Sequence, residues 1–142
     1  MVVGYGRVGS LLGQQLIETG GRMVGVEMSR ARGGAVRGRG VNAVLGNAAR
    51  VGTMDLARLD CARWLLLTIP NGYEAGEIVT AAREKRADIE IIARAHYDDE
   101  VAYIMERGAN RVVMGEREIA NSMLHVLQEE IAQNPIVREC PI

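Results

Sequence analysis

Gly4, Gly6 and Gly9 stand in the run Val2-Val3-Gly4-Tyr5-Gly6-Arg7-Val8-Gly9-Ser10, the G-x-G-x-x-G spacing at which a strand turns tightly into a helix. The first glycine permits the turn, the second lets the backbone approach a pyrophosphate, and the third allows the helix to pack closely on the sheet. Glu27 follows 18 residues after Gly9, at the end of an expected second strand, where an acid accepts hydrogen bonds from an adenosine ribose. A nucleotide is therefore the first ligand the chain implies. The same acid repels a 2′-phosphate, which favours AMP, NAD(H) or another adenine nucleotide over NADP. Arg30 and Arg32 qualify that preference: either can neutralise an extra phosphate, and either can simply be solvated at the start of a helix.

Other candidates fall where strands end. Tyr5, Arg7 and Val8 complete the loop between the glycines, and Met28 flanks Glu27. Gly46-Asn47-Ala48 follows the third strand, so the Asn47 amide, a donor and an acceptor together, can pair with an adenine edge or merely shape a turn. Ile69, Pro70 and Asn71 close the fourth strand across the crevice and form a wall for a ribose or phosphates, although Asn71-Gly72 is also an ordinary turn signal. Arg94, at the end of the fifth strand, reaches either a phosphate or an interstrand partner. Groups for proton transfer or covalent chemistry are scarce. His96 and His125 are the two histidines; His96 follows strand five just before acids that read as a helix cap and first turn, and His125 falls mid-helix. Lys85, the single lysine, lacks a tyrosine four residues before it, as a short-chain dehydrogenase would require.

These residues need a scaffold that brings strand ends together. Short runs of Val, Ile and Leu alternate with longer amphipathic segments, the rhythm of βαβ units. Strands are expected at 1–3, 22–27, 41–45, 63–69, 90–95 and 111–114. Helices are expected at 8–18, 30–39, 53–58, 73–86, 98–107 and from about 116 to 129. With right-handed crossovers this predicts an α/β, Rossmann-like, doubly wound parallel sheet of six strands in the order 3-2-1-4-5-6, with helices on both faces. Residues 1–133 form the expected domain and 134–142 a tail. The very short first strand implies a chain cut from a longer polypeptide just upstream. In the last helix Ile119, Met123, Val126, Leu127 and Ile131 make a stripe at helical spacing, equally readable as the core of its own subunit or as a dimer seam.

Composition narrows the classes. The 142 residues suit one domain, and the 17 basic and 18 acidic residues are mixed along the chain, leaving no electrostatic footprint for nucleic acid or an anionic membrane. All but one of the basic residues are arginine, a bias read as lineage rather than function. No apolar stretch approaches the roughly 20 residues of a membrane span, so a cytoplasmic piece is expected. The two cysteines, Cys61 and Cys140, have no metal-ligand spacing; Cys61 is expected to pack as a small apolar residue.

The glycine loop, Glu27, Gly46-Asn47-Ala48, Ile91-Ile92-Ala93-Arg94-Ala95 and Gly108-Ala109-Asn110-Arg111-Val112-Val113 together resemble the regulatory RCK (TrkA-N, or KTN) domain over nearly the whole chain. The segments 68–78, 96–101 and 113–120 look most like those of Kef-type monovalent cation:proton antiporters. This resemblance implies AMP or NAD(H) in the crevice, a homodimer, a covalently linked membrane antiporter domain ahead of a cytoplasmic regulator of an inner-membrane protein, and gating by ligand-dependent dimer rearrangement. It implies no reaction. Where the family commonly carries Gly-Asp-Ala, Asn47 removes a charge. The other class left open is the cofactor-binding fragment of an NAD-dependent oxidoreductase.

Overall fold

The structure, a computed structural model, describes residues 1–50 and 52–134. Six parallel strands, β1 (Val2–Val3), β2 (Val24–Glu27), β3 (Asn42–Leu45), β4 (Trp64–Leu67), β5 (Glu90–Ala95) and β6 (Arg111–Met114), pair in the order 3-2-1-4-5-6, as the sequence pattern predicts. The helices are α1 (Arg7–Glu18), α2 (Arg30–Gly38), α3 (Thr53–Leu56), α4 (Gly72–Lys85), α5 (Asp98–Glu106) and α6 (Gly115–Gln133). The strands at 90–95 and 111–114 match their expected bounds; the others are shorter by one to three residues. A single 3-10 turn, Leu59–Cys61, completes the segment where one helix over 53–58 was expected. Arg58 breaks that helix by entering the left-handed region at φ 57°.

Helices cover both faces of the sheet. On one face, Val3, Val26, Leu65, Leu67, Ile91 and Ala93 pack against Met54 of α3, Ile78 and Val79 of α4, and Ile104 of α5. Each fully buried aliphatic side chain there contributes about 1.5–3 kcal/mol relative to exposure. On the other face a smaller cluster joins Val2, Tyr5, Val36 of α2 and Val41, with Leu16 of α1 and Leu66 half-buried against it. That second face is clothed only over β1–β3. Over β4–β6 it carries Trp64 and Val113, 41% and 43% exposed.

Local chemistry sets the helix starts. Ser29 caps α2 by accepting from the Arg32 amide, and the Asn71 side chain caps α4 by accepting from the Tyr73 and Glu74 amides. Glu100, buried in the first turn of α5, accepts from the His96 and Tyr97 amides and from Gly72 N–H, tying α5 to the start of α4. The acids after His96 are thus a first turn, as expected.

Two expectations are corrected or decided. Cys61 is exposed, because the turn that contains it buries Leu59 instead; its sulfur lies against Asp60 and Arg58. In α6 no residue is buried, and Ile119, Met123, Val126, Leu127 and Ile131 are all exposed, so the stripe is not core of its own subunit. Cys140 and all of the expected tail beyond Asn134 lie outside the described residues. Among the described residues no helix is long and apolar enough to cross a membrane.

Candidate functional site

A cleft of about 380 Å³ opens at the carboxyl ends of the strands, where the order reverses between β1 and β4. Open α/β sheets place ligands at this position. Gly4 takes φ 85°, turning the chain out of β1, and Gly6 precedes the first turn of α1 with no atom within 4 Å of where a Cβ would sit. Gly9 is packed differently. A Cβ there would lie 2.0 Å from the Gly4 carbonyl oxygen and 2.6 Å from Thr68 Oγ1, so α1 can seat on the sheet only with glycine at that position. The Thr68 hydroxyl, 2.6 Å from the Gly4 carbonyl oxygen and 3.0 Å from that of Val3, locks the loop to β4.

Glu27 forms one side of the cleft and is 4% exposed. Its Oε2 accepts the Tyr5 amide at 2.7 Å; its Oε1 accepts the Ser29 amide at 2.8 Å and Arg32 Nη2 at 3.0 Å. Burial pushes the carboxyl pKa up, but the Arg32 hydrogen bond, the two amides and the guanidinium charge outweigh it and hold the group below the ordinary carboxylate range. A depressed folded-state pKa stabilises the fold above the unfolded value, and that contribution disappears as pH falls through the folded value. Arg32→Ala is therefore expected to move the acid-unfolding limb, followed by circular dichroism, to higher pH. An unmoved limb would mean that the pair contributes nothing to stability.

Of the residues singled out from sequence, Gly4, Gly6, Arg7, Glu27, Met28, Arg32, Gly46, Ala48, Ile69, Pro70 and Arg94 line this one cleft. Tyr5, Val8, Gly9, Asn47 and Asn71 do not line it. Tyr5 contributes its amide to Glu27 while its ring is buried with Val2 and Val36 and its hydroxyl meets Met23 sulfur. Val8 is on the exposed surface of α1, and Gly9 lies beneath the loop. The Asn47 carbonyl accepts from the Ala49 amide at 2.7 Å, and Asn71 is occupied as the α4 cap, so both serve as turn and cap residues. Sequence reasoning left out Glu74 and Ile78, which face the cleft from the first two turns of α4. The available signal was their position just after the β4 end, on the helix that must enter beside it. Neither histidine lines the cleft: His96 Nδ1 lies 3.2 Å from Glu116 Oε1, and His125 is beside Glu129 on the exposed α6. Among the described residues no group of His, Cys, Asp and Glu could hold a metal ion.

A six-stranded parallel sheet with a glycine turn, a buried acid and an apolar wall at its switch point defines a Rossmann-like α/β domain. The chain belongs to the TrkA-N domain family, which it matches over residues 1–115. It is 67% identical over 128 residues to the putative cation/proton antiporter YbaL of Escherichia coli, an alignment covering 90% of this chain and 23% of that protein. The crystal structure of the TrkA-N domain of E. coli YbaL superposes with a TM-score of 0.85 at 68% identity, covering 89% of this chain and 93% of the solved one. The Kef C-terminal domain of Shewanella denitrificans, solved in an AMP-bound form, has a TM-score of 0.77 at 23% identity over 89% of this chain and 77% of its own. The GsuK channel bound to NAD has a TM-score of 0.71 at 18% identity over 79% of this chain and 20% of its own. The chain spans about a quarter of the length of the curated antiporter.

Proposed function

We propose that this domain is a nucleotide-sensing regulator of a cation:proton antiporter to which it is covalently joined in an inner-membrane protein, its membrane partner being of the YbaL type. The ligand is AMP or NAD(H), and the domain carries out no reaction of its own. The observation that carries the reading is the buried, anionic Glu27 held beside the glycine loop in a cleft at the switch point. The phosphates lie along Gly4, Gly6 and Arg7, the ribose at Glu27 and Met28, the adenine toward Ala48 and the Asn47 turn. Ile69, Pro70 and Arg94 receive whatever extends beyond the first phosphate. The AMP-bound Kef domain and the NAD-bound GsuK channel support this class of ligand.

The same proposal makes the domain a homodimer. The exposed stripe of α6 and the uncovered sheet face at Trp64 and Val113 are apolar surfaces of the kind that a second copy buries. Ligand binding biases the geometry of that dimer, and it can do so only by binding one arrangement better than another.

Calorimetry with AMP, ATP, NAD⁺, NADH and NADPH on folded protein tests the ligand. Binding of an adenine nucleotide is expected, and its absence across the whole panel would remove the hypothesis. Glu27→Ala is expected to weaken the bound nucleotide by at least about tenfold, the loss of a hydrogen bond to a charged group. Unchanged affinity would place the ribose elsewhere. An oxidoreductase fragment, the other class open to the sequence, gains no support from these relatives.

A further inference from the structure

An acid at the end of β2 is expected to accept from an adenosine ribose, but in this chain Glu27 does not have the acceptor positions to take both hydroxyls. A carboxylate offers about four lone-pair positions. Oε1 is filled by the Ser29 amide and Arg32 Nη2, while Oε2 already takes the Tyr5 amide, leaving one position free. A cis-diol that donated twice would have to displace Arg32. The alternative keeps the pair intact: one hydroxyl donates to Oε2 and the neighbouring oxygen accepts from the guanidinium.

The location of Arg32 favours this second arrangement. It occupies the first turn of α2 with Arg30, and that turn contains no acid, so both cations oppose the helix dipole. No hydrogen bond or ion pair joins Arg30 to Glu27, whereas Arg32 is tied to that carboxylate and lines the cleft with a side chain still 56% exposed. The guanidinium presents five donors and spends one on Glu27, so the rest of the fork is available to a ligand oxygen.

We propose that Arg32 is the specificity-determining residue of the ribose subsite: the 3′-hydroxyl donates to Glu27 and Arg32 takes the 2′ substituent, whether hydroxyl or phosphate. This inference rests on the nucleotide reading above. It revises one expectation from sequence, since the acid that should exclude 2′-phosphorylated nucleotides is partnered by a cation placed to admit them.

The test measures AMP and adenosine 2′,5′-bisphosphate on the wild-type protein, Arg32→Ala and Arg32→Lys by calorimetry. In the wild type the bisphosphate is expected to bind within about tenfold of AMP, because a charge-assisted contact offsets repulsion by Glu27. In Arg32→Ala the ratio should widen by a further tenfold or more, again the size of a lost hydrogen bond to a charged group. Arg32→Lys, which keeps the charge and loses the fork, should fall between them. The ratio is the readout, because a residue that merely caps α2 or positions Glu27 would weaken both ligands alike. An equal ratio in wild type and Arg32→Ala would overturn the assignment while leaving the nucleotide reading intact. Failure of the wild-type protein to bind any adenine nucleotide would overturn both.

Discussion

Gly9→Ala is expected to destabilise the whole domain, whereas Gly6→Ala should leave it folded and remove only the ligand. A methyl group on Gly9 would meet the Gly4 carbonyl oxygen at 2.0 Å and Thr68 Oγ1 at 2.6 Å. The first is backbone and cannot rotate away, so α1 must lift from β1. Forcing such an overlap costs about 3 kcal/mol, or roughly 10 °C of melting temperature in a domain of this size. Gly6 is the opposite case. Its φ of −76° suits any residue, nothing lies within 4 Å of the added methyl, and the position faces the cleft. Its substitution should leave the melting temperature nearly unchanged and weaken adenine nucleotides by at least about tenfold, because backbone can no longer approach the phosphates. Thermal melts and calorimetry on the two variants separate packing from recognition. Full nucleotide affinity in Gly6→Ala would show that the phosphates do not lie against this loop.

The double substitution Met123→Glu, Leu127→Glu should convert the proposed dimer into a monomer without disturbing the fold. Both side chains are more than half exposed and contribute nothing to the core of their own subunit. In the proposed dimer each carboxylate would be buried against the apolar stripe of a second copy, an arrangement that costs several kcal/mol when a charge is buried unpaired. Sedimentation velocity is expected to show a wild-type dimer at micromolar concentration and a monomeric variant with unchanged circular dichroism. A wild-type protein that remains monomeric at high concentration would overturn the dimer, and a variant that remains dimeric would place the seam on another surface.

The fold was legible because its signals are local and agree with one another. Glycine stops α1 and α2, Pro70-Asn71-Gly72 separates β4 from α4, and the apolar runs have strand length. The family resemblance and the sheet order are both upheld. The site was legible only in part. Strand order puts Glu27, Ala48, Pro70 and Arg94 around one opening, yet the direction of a short polar side chain depends on which amide it meets first. Asn47 and Asn71 meet the amides of their own turns. Arg30 and Arg32 are alike in type and two positions apart, so only rotation about the helix, about 100° per residue, distinguishes the one that reaches Glu27. Periodicity shows that α6 has an apolar face, but not which molecule that face will meet.

The central strand has a mechanical consequence. Within the sheet β2 and β4 are linked through β1, whose Val2 and Val3 pair on one side with Gly25 and Val26 and on the other with Leu66 and Leu67. The cleft straddles this narrow seam, with Glu27 and Met28 on one bank and Ile69 and Pro70 on the other. The ladders between β2 and β3 and between β4 and β5 are each four residues long, twice the length of those that β1 makes on either side. A molecule seated across the cleft would act as a crossbar between the two banks, and its length would decide how far it braces them.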